Sequence, residues 1–266
     1  MGAAKKYLNN QFMARKFFLE NEEASEFYLC SLQSNRSSVP LLLIRIVIFL
    51  GCLGIVLASG ILTGQAIDAK YWPIYLTHWG ILLNTVCAFL ACCVSIAAYA
   101  QGGIDATFGL PWYVKAYWFS FNAAVPIAFF ITAFYYAFLS SMGEEFAINQ
   151  VLDLFIHGIN SVLMMCLLLT AQHPSLILHF YQPISVTLVY LVFGIIYYFA
   201  GGTNPNGDPW IYPNIDWRDP GPATGMVFAS AAMIIIIHLL VVLISLARDW
   251  FSKRYIRDSR TMSFNS

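Results

Sequence analysis

Six long apolar runs recur along this chain at near-regular intervals, at about 41–63, 74–99, 116–139, 151–171, 183–200 and 225–247. Each holds roughly 18 to 26 residues, and about 20 helical residues cross the ~30 Å hydrocarbon core of a bilayer. Lipid offers no water to backbone N–H and C=O groups, so runs of this length predict helices, whose hydrogen bonds close within the segment. The short alternating segments of a membrane β-barrel do not appear. Composition agrees: 59% of the residues are hydrophobic and only 11% charged, where a soluble domain carries roughly a quarter. The expectation is an all-α polytopic membrane protein with six transmembrane helices in one bundle.

That many spans leave room for one domain. The chain divides into an N-terminal arm, 1–40, a transmembrane domain, 41–247, and a basic tail, 248–266. Charge sets the expected orientation. With both termini cytoplasmic, Lys5, Lys6, Arg15, Lys16, Arg36, Lys115, Arg248, Lys253, Arg254, Arg257 and Arg260 fall inside, and only Lys70 and Arg218 outside, as the positive-inside rule asks. Aromatic belts then bracket the spans. Tyr71, Trp72, Tyr75, Trp79, Tyr135, Tyr136, Tyr197 and Tyr198 sit at the outer level, and Trp112, Tyr113, Tyr117, Trp118, Tyr181 and Trp250 at the inner.

The first forty residues are polar and mixed in charge, so no cleavable signal is expected and the first span serves as the targeting signal. Lys6 stands where a myristoylation motif wants Ser or Thr. Cys52, Cys87, Cys92, Cys93 and Cys166 lie within spans and Cys30 in the arm, so no disulfide framework is implied. The Asn35-Arg36-Ser37 sequon is cytoplasmic on this topology and stays unmodified. The arm mixes charge with Tyr7, Phe12, Phe17 and Phe18, which suits an interfacial helix or a partly ordered tail. The basic tail suits the anionic inner surface. Most loops are short, which favours an up-down bundle of sequential neighbours. The exception is 201–224, GGTNPNGDPWIYPNIDWRDPGPAT, whose Pro and Trp content predicts an ordered loop capping the outer face.

Ionisable residues within spans are costly and mark candidate chemistry. Arg45 lies about one turn inside the inner boundary and is expected to snorkel to the headgroups. His238 has no ionisable neighbour one turn away and suits a lone helix–helix hydrogen bond. The fourth span is richer: Asp153, His157 and Asn160, four and three apart, share one helical face. Asp153 is placed to accept from His157 and fix its tautomer. Thr77 in the second span enters from the same side, so at 1.5 Å per residue it falls near the depth of His157. A Thr hydroxyl beside a carboxylate-oriented His is a nucleophile–base pair. A buried hydrogen-bond cluster joining two helices uses the same residues, and spacing alone does not separate the two readings.

Other chemistries find little support. There is no Walker loop, dinucleotide fingerprint or HExxH motif. His173 and His179 have no accompanying carboxylate, so no metal or other cofactor is expected, and nothing points to nucleic acid. Transport calls for broken helices or polar lines across several spans; Pro126 kinks the third span at most.

Several short motifs carry a resemblance. Tyr75-Leu76-Thr77-His78-Trp79-Gly80, Lys115-Ala116-Tyr117-Trp118, Asp153 with His157-Gly158-Ile159-Asn160-Ser161, and Ile211-Tyr212-Pro213-Asn214-Ile215-Asp216-Trp217 resemble, in order, motifs of the rolling stone family of multipass membrane proteins. That family is associated with myoblast fusion and muscle development in insects. A wider resemblance is to the androgen-induced proteins, intramembrane threonine hydrolases of fatty acid esters of hydroxy fatty acids. Their "F-L-T" run matches Tyr75-Leu76-Thr77, which makes Thr77 the implied nucleophile. Their catalytic His falls at Asn160, and Asn cannot serve as a general base. Either His157 or His78 takes that role, or the activity is lost.

Two expectations follow. The first is a plasma-membrane protein, rather than one of the endoplasmic reticulum, acting in cell–cell interaction or myoblast fusion through a membrane or cell-surface protein partner. The alternative is a lipid ester hydrolase with Thr77 as nucleophile, His157 as base, Asp153 as its orienter and Asn160 beside them. The first predicts an exposed aromatic patch on the 201–224 loop. The second predicts a pocket in which the Thr77 hydroxyl reaches an imidazole.

Overall fold

A computed structural model describes residues 11–140 and 149–257. Lys5, Lys6, Tyr7 and Arg260 lie outside the described residues. Every regular element described is helical. Six helices are long and apolar enough to cross a membrane: α1 Val39–Ala66, α2 Leu76–Gln101, α3 Trp112–Leu139, α4 Gln150–Thr170, α5 Ile177–Phe199 and α6 Pro220–Ile256. The chain is an integral membrane protein.

Prolines explain why two spans begin earlier than their apolar runs. Pro40 and Pro220 sit in the first turns of α1 and α6, where a missing N–H removes a donor that has no partner anyway. The run Pro220-Gly221-Pro222 reads as turn by composition yet opens a helix. At the other extreme, α3 and α4 each contain a π-helical turn, Tyr135–Leu139 and Phe155–Ile159. Such turns are rare and concentrate at functional sites.

The bundle is built around α3 rather than as a ring of sequential neighbours. Two-thirds of its most apolar window is buried, 67% against 11% for α5, and it packs against α2, α4, α5 and α6. Its middle explains the role: Ala123, Ala124 and Ala128 are fully buried, and small residues let neighbouring backbones close in. The helix continues through Pro126.

One end of the bundle, here the base, gathers the N-terminal arm and residues 102–111 and 171–176. The arm forms two short 3₁₀ turns, Ala14–Phe17 and Ala24–Phe27, and plugs the base instead of lying on it as an interfacial helix. Phe27 is fully buried, stacked on His173 at 5.0 Å and edge-on to Trp118 at 5.2 Å. Ser31 N donates to Thr170 O at 2.9 Å and Gln172 Nε2 to Cys30 O at 2.6 Å. This cover is why Tyr117 and Trp118, expected in an interfacial belt, are core residues with no exposed surface.

Arg45 also departs from expectation. It does not snorkel: the guanidinium is fully buried and donates to Ala91 O at 3.0 Å, Ser95 Oγ at 2.7 Å and Tyr117 Oη at 3.1 Å. Acceptors inside the bundle lie within reach, so the head turns inward. His238 bonds the Leu176 carbonyl in the 171–176 connection at 3.0 Å, a helix–loop tie rather than a helix–helix one. His173 and His179 go to protein partners, the Tyr117 hydroxyl at 3.0 Å and the Asn122 amide at 2.9 Å.

The opposite end, the crown, gathers residues 67–75 and the long loop, which runs from 200 to 219. Asn204 shapes that loop by accepting from Asn206 N and Asp208 N, an Asx turn. Tyr212 then reaches down to accept from Leu76 N at 2.9 Å, satisfying one of the donors that a helix N-terminus leaves without a partner.

Candidate active site

Thr77 lies in the first turn of α2, just below the crown, where Tyr75 is the N-cap. His157 lies on the π turn of α4, and the two meet: Thr77 Oγ1 is 3.4 Å from His157 Nε2. On the other side of the ring, His157 Nδ1–H donates to Asp153 Oδ1 at 2.8 Å. That bond leaves the Nε2 lone pair facing the hydroxyl. Asp153 is held in turn, its Oδ2 accepting from Tyr135 Oη at 2.8 Å. The Tyr135 ring stacks on the His157 imidazole with centroids 3.6 Å apart. Thr132 donates to the His157 carbonyl, tying the π turn to α3. The His157 and Asp153 side chains are only 9% and 16% exposed, so this chain of bonds is largely screened from water.

Two cavities meet at Thr77. One, of about 370 Å³, is apolar and runs between α3, α5 and α6 beneath the aromatic residues of the long loop. The other, of about 260 Å³, lies under the crown and is lined by His157, Asp153, His78, Asn149 and Asn206 among others. Thr77, Leu139 and Tyr212 line both.

The arrangement coincides with a family assignment. The family model described as Protein rolling stone matches residues 3–259. The chain belongs to the rolling stone family. The rolling stone protein of Drosophila melanogaster is 26% identical to it over 227 residues, covering 81% of this chain and 80% of its own length. No solved structure matches the chain.

The motifs that resemble rolling stone converge on this site and on the base. Thr77 faces His157. Gly80 lets α2 approach α3 so closely that a Cβ there would overlap Ile131. Tyr212 ties the long loop to the start of α2, and Tyr117 and Trp118 fill the core beside the base. Of the four residues singled out from sequence, Thr77, His157 and Asp153 come together. Asn160 does not join them; its Oδ1 accepts from Asn84 Nδ2 at 3.0 Å, a fully buried link between α2 and α4. His78 stacks on Trp72 at 4.5 Å and binds the Trp72 carbonyl through Nδ1, so of the two imidazoles it is His157 that meets the Thr77 hydroxyl.

Sequence reasoning missed two members of this rolling stone site. Tyr135 read as an interfacial belt residue. Its depth, at the crown end of α3 level with Asp153, was the available signal. Tyr212 carried a motif but no assigned contact, because the fold of a long loop over a helix start is not written in hydropathy.

Proposed function

We propose that this rolling stone protein is an intramembrane threonine hydrolase of lipid esters. The observation that carries the reading is the unbroken chain Thr77–His157–Asp153 at 3.4 Å and 2.8 Å, with the hydroxyl at the mouth of an apolar cavity. The first contact is longer than a working hydrogen bond, as catalytic contacts commonly are before substrate binds.

In this mechanism Thr77 Oγ attacks the ester carbonyl carbon as its proton passes to His157 Nε2. Asp153 stabilises the imidazolium, as the acid of a triad does without itself taking the proton. Negative charge on the carbonyl oxygen develops beside the N-terminus of α2, whose dipole favours it. Collapse breaks the carbon–oxygen bond to the alcohol, which leaves with the proton from Nε2. Water then gives a proton to His157 and attacks the acyl-threonine. The carboxylic acid departs and Thr77 regains its proton.

The resemblance to the androgen-induced proteins supports an ester of a fatty acid as substrate. The basic residues near the base favour a cytoplasmic base, which in the plasma membrane of this reading makes the crown exoplasmic. A part in cell–cell interaction or myoblast fusion fits as a consequence of the same chemistry, through local change in lipid composition. Direct adhesion has less support, because Trp210, Tyr212 and Trp217 line the apolar cavity and are only partly exposed.

The test is fluorophosphonate labelling of the purified full-length protein beside Thr77→Ala. Labelling of the wild type that disappears in the variant is expected, with the adduct mapped to Thr77 by mass spectrometry. A folded wild type that labels no more than Thr77→Ala would refute the reading.

A further inference from the structure

The two cavities differ in chemistry, and the His157–Asp153 pair lies on one side only. His157 and Asp153 line the crown cavity and take no part in lining the apolar one. In ester cleavage the leaving alcohol must receive its proton from the general acid, here His157 Nε2. The alcohol oxygen therefore lies toward the crown cavity, and the acyl chain, attached to the other side of the attacked carbon, points into the apolar cavity. Resting on the hydrolase reading, we infer that the substrate is a monoacyl ester of a small neutral polyol, its long acyl chain held between α5 and α6 and its alcohol released toward the crown.

Three observations support that assignment. First, the apolar cavity opens sideways toward lipid: Leu188 and Phe228, on its α5 and α6 walls, are 55% and 71% exposed. Its outward end is roofed by Trp210 and Trp217, and Arg218 lies over the Trp210 ring at 4.7 Å while pairing with Asp216 at 2.7 Å. A chain reaching Thr77 on this side comes from the bilayer. Second, the crown cavity is bounded by loop residues Ile67, Asn149, Pro205 and Asn206, so it belongs to the aqueous end of the molecule. Third, among the described residues that line it there is no Lys or Arg, while Asp153 is there. A phosphate or carboxylate on the alcohol would meet a like charge with no cation to offset it. Two-chain esters place a second long chain in the smaller cavity, of about 260 Å³, at the aqueous end of the molecule, and anionic monoacyl lipids place a charge beside Asp153. Both are disfavoured.

Gly194 offers a handle on the acyl side. It lines the apolar cavity, and a Cβ added there meets no atom within 4 Å, so a side chain can leave the backbone there and Gly194→Phe adds bulk to the cavity wall.

The experiment measures hydrolysis by the full chain in nanodiscs with four esters: 1-oleoylglycerol, an oleoyl ester of hydroxystearic acid, oleoyl lysophosphatidic acid and p-nitrophenyl butyrate. The expected result is a kcat/KM for 1-oleoylglycerol at least about tenfold above either of the other two oleoyl esters. Gly194→Phe should lower the ratio of 1-oleoylglycerol to p-nitrophenyl butyrate turnover by about tenfold or more. Equal rates on the three oleoyl esters, or an unchanged ratio in a folded Gly194→Phe, would overturn the inference while Thr77-dependent butyrate hydrolysis kept the hydrolase standing. Absence of Thr77-dependent turnover of all four by folded protein would overturn both.

Discussion

Tyr135 holds the oxygen of Asp153 that His157 does not use, and its ring lies flat on the imidazole. Both contacts limit how far His157 swings from Thr77. Removing only the hydroxyl, in Tyr135→Phe, keeps the stacking and deletes a hydrogen bond to a charged group, worth about 1.5–3 kcal/mol. The fluorophosphonate labelling rate should fall by about tenfold or more, since each ~1.4 kcal/mol is a factor of ten. Asp153→Asn should cost far more, up to roughly four orders of magnitude, because an amide no longer fixes the tautomer that leaves Nε2 free to accept. Comparing the two labelling rates separates a steric from an electrostatic part for the carboxylate. At the base, Arg45 makes a different use of its head, three bonds to neutral acceptors. Arg45→Lys keeps the charge but loses the fork, and should destabilise by about 1–3 kcal/mol, read as a lower thermal midpoint in detergent.

Among the elements, the start of α2 and the N-terminal arm carry most of what hydropathy leaves unsaid. Tyr212→Phe withdraws the acceptor from Leu76 N and frees the first turn of α2, which should slow Thr77 labelling while leaving the global melting transition little changed. The arm has its own sensitivity to acid. Burial foremost, and then the charges of Arg248 and Arg45, push His173 well below its ordinary value of 6.5. The released arm and its binding site therefore take up a proton that the packed state refuses. Packing is fully stable above pH 6.5 and weakens as pH falls below it. Amide protection over residues 24–33, corrected for the slower intrinsic exchange in acid, should fall between pH 6.5 and pH 5, and an unchanged protection profile would count against His173 as the cause.

The spans themselves were legible because a twenty-residue apolar run has one stable conformation in lipid. The Asp153–His157 pairing was legible because spacing of four is a local property of a helix. Arg45, Tyr117 and Trp118 were misjudged for a common reason: whether a polar or aromatic group near a helix end meets lipid or protein depends on what covers that end. The cover is a segment of mixed composition whose docking no periodicity announces.

As a whole molecule, the bundle is asymmetric from base to crown. If the base faces the cytoplasm, a cysteine introduced by Asn206→Cys should react with a membrane-impermeant maleimide on intact cells, and one introduced by Ser34→Cys should react only after permeabilisation. The reverse pattern would invert the topology and place the crown cavity inside. Just inside the base lies a layer in which Phe27, Tyr117, Trp118, Phe121 and His173 have no exposed surface. A hydrated ion would have to shed its water to pass that layer, at a cost of many times thermal energy. On the proposed hydrolase reading, lipid ester bonds would be broken near one face of the membrane without short-circuiting it, because the residues that anchor the arm insulate that chemistry from the voltage across the bilayer.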